Sequence, residues 1–179
     1  MTIDPNEFVE TARYILQIIT SVYDEHGIDL PERRYLAVGG PGATVHDTEQ
    51  VTVSFEQGYS GIPGSQAQTP VKCDAPRTGV FVIEVVRCLP LPNTPVSNPK
   101  SPQPSRYSQE VTDVQLLPPE VQTEHAEKQM VDAMLLMEAG LRVGEFTTFG
   151  SVADVSAGQP MGGFQAMTLM LTSSATPLR

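Results

Sequence analysis

The chain has 179 residues, enough for one well-packed domain and too short for two. Its formal charge is −10, from 11 basic and 21 acidic side chains, which argues against coating or reading DNA, because non-specific binding to nucleic acid is driven by basic surface. No apolar run approaches the ~18 residues of a transmembrane helix, the first segment lacks the basic start and apolar run of a signal peptide, and 14 glycines with 16 prolines point to a loop-rich domain around a real core.

Asp4-Pro5-Asn6-Glu7 reads as a helix start. Asp4 can cap, Pro5 suits the first helical position, and Glu7 can reach back as in a capping box. Phe8, Ala12, Ile15, Ile19 and Val22 then recur at helical spacing, with Val9, Leu16 and Tyr23 as a second stripe beside them. So broad an apolar face suits a helix packed on a sheet, and Gly27 is the expected stop.

Arg34–Val38 reads as a short strand, broken by Gly39-Gly40-Pro41-Gly42. Gln50–Gln57 alternates, with Val51, Val53 and Phe55 on one side and Thr52, Ser54 and Glu56 on the other, which predicts a half-buried strand. Residues 58–76 carry six glycines and prolines and read as a long connection. Thr78–Cys88 is apolar on both faces apart from Glu84, which predicts a central place in the sheet.

Residues 89–104 contain six prolines. Proline fixes φ and cannot donate to a ladder, so this stretch is neither a helix nor a central strand. It reads as a solvent-exposed loop or as an arm docking on a neighbouring subunit, and the expected arm or insertion spans 89–119. Its candidate contact residues are Pro92, Pro95, Pro99, Lys100, Pro102, Pro104, Arg106 and Tyr107.

A second helix is predicted from about Glu120 to Glu138, with Met130, Met134, Met137 and Leu141 as its core stripe, helped by Ala126 and Ala133. Gly140 and Gly144 offer stops. Glu145–Val155 and Phe164–Thr172 read as strands, separated by a turn over 158–163. The order α–β–β–β–long loop–α–β–β predicts a single α+β domain over 1–179, an antiparallel or mixed sheet flanked by two main helices.

Chemistry-bearing patterns are sparse. Cys73 and Cys88 lack C-x-x-C spacing and are expected as thiols, acting as small buried apolar side chains. With His26, His46 and His125 scattered, they do not build a zinc site. The Gly39–Gly42 run lacks the Gly-Lys-Ser/Thr of a phosphate loop and reads as a turn. His46-Asp47-Thr48-Glu49 places an imidazole beside carboxylates, but such a run is commonly the solvated lead-in to a strand. There is no Gly-x-Ser-x-Gly elbow and no tryptophan. No catalytic, cofactor-binding or metal-ligating residue is expected, and the chain does not read as an enzyme.

Several segments carry a resemblance. They are Arg33-Arg34-Tyr35, Gly39, His46-Asp47, the strand Glu49-Gln50-Val51-Thr52-Val53-Ser54-Phe55, and Cys73-Asp74-Ala75-Pro76-Arg77-Thr78. Glu84-Val85-Val86-Arg87-Cys88-Leu89-Pro90 and Gly162-Gly163-Phe164 complete the set. Together they resemble the small neck proteins of long-tailed bacteriophages of actinobacteria, in particular the tail terminators, with the proline-rich segment as an insertion. The resemblance implies a tail-terminator-like sheet flanked by helices, six copies in a homohexameric ring, and a place in the virion neck at the head-proximal end of the tail. Assembly would take place in the host cytoplasm. The implied partners are the major tail tube protein and the head-closure or stopper protein, with duplex DNA passing through the lumen without specific binding and no membrane involved. The alternatives are another neck component such as the stopper, a small α+β ligand-binding domain or enzyme with His46, Asp47 and Glu49 near a pocket, and a monomeric adaptor using the proline-rich segment as a peptide ligand.

Overall fold

A computed structural model describes residues 6–39, 48–64, 77–89, 118–145, 147, 151–158 and 164–174. The elements run α1 (Glu7–His26), β1 (Arg33–Val38), β2 (Gln50–Ser60), β3 (Arg77–Cys88), α2 (Pro119–Glu145), β4 (Ser151–Ala157) and β5 (Phe164–Ser174). They form one five-stranded sheet in the order β1-β2-β3-β5-β4. β1 lies parallel to β2, and every other pair is antiparallel. This is the mixed-sheet α+β fold that the element order predicts. Asp4, Pro5, His46, Asp47, Cys73, the turn over 159–163 and all eight candidate arm residues lie outside the described residues.

The helix-bearing face of the sheet is set by alternation. Val51 and Val53 of β2, Phe81, Ile83 and Val85 of β3, and Met167, Leu169 and Leu171 of β5 all enter one core. Ala12, Ile15, Ile19, Val22 and Tyr23 of α1 meet them from above, as do Leu135, Leu136, Ala139 and Val143 of α2. The α1 stripe read from sequence is therefore the buried one, with Phe8 half-buried against Phe55 at 4.8 Å between ring centroids. Gly27 ends α1 in the left-handed conformation (φ 65°), where a side chain would be strained. At the other end Asn6 is the residue before the first turn, and Glu7 pairs with Arg77 at 2.6 Å.

β3 is the third of five strands, and both its faces are buried, as its double-sided apolar pattern requires. On the face away from the helices, Val80, Val82 and Val86 are buried, and so is Glu84 among them. β2 departs from expectation in two ways. Gln50–Ser54 is buried on both faces instead of one, and the strand runs on to Ser60, pairing Gly58 with Gly79 past a bulge at Phe55/Gln57. The long connection accordingly starts later than its glycines suggest.

α2 departs further. It continues to Glu145, through both Gly140 and Gly144, so neither glycine stops it and the following strand begins only at Ser151. The reason is packing. A β-carbon on Gly140 would stand 3.0 Å from that of Ala153 on β4, and one on Gly144 would stand 2.7 Å from Ser151 Oγ. The missing side chains let the last turns of α2 lie close against β4. The core stripe is also misplaced by the sequence reading. Met130, Met134, Met137 and Leu141 are 67%, 71%, 39% and 64% exposed, while Leu135, Leu136, Ala139 and Val143 face the sheet. Cys88 is likewise an exposed free thiol, at the end of β3 where the strand leaves the core, and not a buried apolar side chain.

Candidate functional site

One polar cluster ties three elements together beneath a cleft of about 430 Å³ that is lined in part by Asp29, Glu49, Arg87, Cys88, His125 and Lys128. Asp132 sits on the sheet-facing side of α2 and is 1% exposed. Arg87 of β3 donates to it twice, from Nε to Oδ2 and from Nη2 to Oδ1, both at 3.0 Å. The Tyr23 hydroxyl of α1 donates to Oδ1 at 2.9 Å. Arg87 also donates to the Asp29 carbonyl at 2.9 Å and lies 3.6 Å from Glu49 Oε2, and Glu49 Oε1 accepts the Cys88 backbone N–H at 3.1 Å.

The electrostatics follow from this geometry. Burial pushes the Tyr23 hydroxyl up, and the adjacent Asp132 carboxylate pushes it further, so it stays a neutral donor. For Arg87, burial opposes the charge, but the hydrogen bonds and charge of Asp132, backed by Glu49, outweigh it and hold the guanidinium ionised. Both charges are thus spent inside the fold. Near the same cleft, Lys128 bonds Glu124 at 2.9 Å and His125 shares a hydrogen bond with Gln129 at 3.0 Å. His26 instead meets Glu138 at 2.9 Å, near the far end of α2. The described residues contain no group of three or more His, Cys, Asp and Glu side chains able to hold a metal ion. Of the sequence-flagged His46-Asp47-Thr48-Glu49 run only Thr48 and Glu49 are described, and Glu49 acts as a partner of Arg87 and of backbone.

The second feature is apolar. Met130, Met134, Met137 and Leu141 are spaced four, three and four apart, the d-a-d-a rhythm of a helix seam. At about 100° per residue they lie roughly opposite the buried Leu136, Ala139 and Val143. α2 is therefore apolar on two opposed faces, one used by the core and one open. The ridge borders a hollow of about 480 Å³ that also touches His26, Val131 and Glu138. Its neighbour Glu138 is held by Arg142, which also binds both oxygens of Glu25 on α1 at 2.8 and 2.7 Å. Sequence spacing alone detects both stripes. The sign that could have separated them is size: the Ala139–Gly140 pair permits close approach to a sheet, whereas three methionines need room.

The third feature is the β1 edge. In the parallel register Leu36 stands opposite Val53 and Val38 opposite Phe55, so both share the helix-bearing face. They are nonetheless 42% and 81% exposed, because β1 extends past the flank of α1. An open cleft of about 470 Å³ separates that flank from β1, lined in part by Arg13, Leu16, Thr20 and Arg34.

Over the described residues, fold and surfaces define a small α+β domain with an internally neutralised polar cluster and exposed apolar features that include the α2 ridge and the β1 edge. No family model matches the chain, and no curated protein matches it either.

Proposed function

We propose that this chain is a structural subunit of a bacteriophage neck: a tail terminator whose copies form a ring of six that caps the tail tube, stops its polymerisation and joins tail to head while DNA passes through. The observation that carries this reading is the outward Met130–Leu141 ridge of α2. A contiguous apolar ridge of this kind on an acidic domain marks a protein contact. The uncovered β1 edge supports the reading, since a ring supplies exposed strand edges with a neighbour. So does the Arg87–Asp132–Tyr23 cluster, which spends its charges holding helices to the sheet.

The partners in this reading are further copies of the chain, the major tail tube protein and the head-closure protein. Duplex DNA is a passenger. Six copies carry about −60, and a concave acidic wall repels the phosphate backbone and lets the genome slide.

The experiment is electron microscopy of tails assembled with and without the protein. Tails of uniform length bearing an extra terminal ring are expected only when it is present. Tails of the same length and end structure in both preparations overturn the reading.

A further inference from the structure

We infer that the α2 ridge of one copy seats in the α1–β1 cleft of the next, so that each copy offers one half of the contact on each side. The inference rests on the ring reading and names its contact.

The helix layer supplies the first argument. α1 packs on β2 and on α2, and α2 packs on β4 and β5. The far edge of the sheet, β1, is left with Leu36 and Val38 open on the very face that the helices cover elsewhere. A helix laid along this edge would continue the layer. The protein carries a helix with a second, unused apolar face, in the heptad rhythm that suits packing against another element.

Charge supplies the second. Beside the N-terminal part of the ridge Glu127 is exposed and acidic, while the cleft presents the exposed Arg13 and Arg34 against one acidic lining residue, Asp24. Two ridges packed parallel, face to face, would instead bring the Glu127 side chains of both copies together. Lys128 and Arg142, the basic side chains of α2 among the described residues, are already paired to Glu124, Glu25 and Glu138. Ridge-to-cleft is therefore favoured over a parallel ridge-to-ridge pair. Because ridge and cleft are different surfaces, the contact is heterologous and repeats from copy to copy, closing into a ring when the rotation allows.

The test uses the full chain and two variants, Met134→Glu on the ridge and Val38→Glu on the β1 edge beside the cleft, with Arg34→Glu in the cleft lining as a second cleft variant. Solution mass is read by light scattering across a concentration series, and circular dichroism checks the fold. The wild type is expected to form an oligomer larger than a dimer, and each variant alone a folded monomer. A mixture of the ridge variant with a cleft variant should stop at a one-to-one dimer, since one intact half remains on each copy. A ridge variant that is monomeric while both cleft variants still dimerise overturns the inference in favour of a symmetric ridge pair. Unchanged mass in all variants overturns the contact but leaves the ring reading to the micrographs of tails. A wild type that stays monomeric throughout the series overturns the contact as well.

Discussion

Arg87 of β3 and Asp132 of α2 form a two-pronged ion pair, with both hydrogen bonds at 3.0 Å, and Tyr23 of α1 donates to the same carboxylate. A buried charge pair contributes little net stability against an apolar replacement of similar shape, because desolvation offsets the attraction. It does punish any arrangement that separates the partners. The pair therefore selects the register in which α1, α2 and β3 meet.

Removing one partner should be costly. Asp132→Ala leaves the Arg87 guanidinium without its main counter-charge and is expected to lose about 3–5 kcal/mol in urea unfolding. The double variant Arg87→Met with Asp132→Leu should lose less than the sum of Arg87→Met and Asp132→Leu made singly, the remaining cost being the Tyr23 hydroxyl left without its acceptor. Additive losses would show that the two side chains do not act as a unit.

The two faces of α2 should respond oppositely to truncation. Leu136→Ala opens a cavity in the core and should cost about 2–5 kcal/mol. Met134→Ala, on the outward ridge, should change the stability of the isolated domain by no more than about 0.5 kcal/mol. Equal losses at the two sites would mean that the ridge is packed within its own chain.

Gly140→Ala tests the close approach of α2 to β4. Helix propensity alone would add about 1 kcal/mol. The new methyl would meet the β-carbon of Ala153 at 3.0 Å, and alanine has no rotamer with which to yield. The crowding should win, with a net loss of about 1 kcal/mol in thermal or urea unfolding, recovered in large part by Ala153→Gly. A more stable Gly140→Ala protein would show that β4 gives way.

The link between the helix ends is pH-sensitive. Hydrogen bonds from Arg142 and then Ser21 pull the Glu25 carboxyl down from 4.5 to about 2. A carboxyl whose folded value lies below its unfolded value contributes stability at neutral pH, and that contribution fades as pH falls from about 4.5 towards 2. Melting profiles of the wild type and Arg142→Gln should therefore differ at pH 7 and converge near pH 2. A difference that persists at pH 2 would remove Glu25 and its partner from the account.

The readings that survived from sequence rest on local signals. The α1 stripe at 3.6-residue spacing, the alternation of Val51, Val53 and Phe55, and the double-sided apolar run of β3 each state which way a side chain points within its own element. Gly27 stopped a helix because nothing packs against it and its φ is positive. Gly140 and Gly144, identical in sequence terms, did not stop theirs, because their value lies in what stands across from them on β4. The candidate surfaces were less legible still. The methionine ridge was visible as a stripe but assigned to the core, and the exposure of Leu36 and Val38 depends on how far α1 extends across the sheet.

The sequence by itself determined the element order, the α+β class, the central place of β3 and the acidic surface, since each follows from composition and short-range period. Only the tertiary structure decided which face of α2 is buried, that β5 lies between β3 and β4, and that Arg87 and Asp132, 45 residues apart, become one ion pair. Periodicity specifies a direction around a helix or strand but carries no information about the partner waiting there. That partner is chosen by the shape of the whole sheet, where a helix with small residues on one side and methionines on the other comes to rest on the side that lets it come closest.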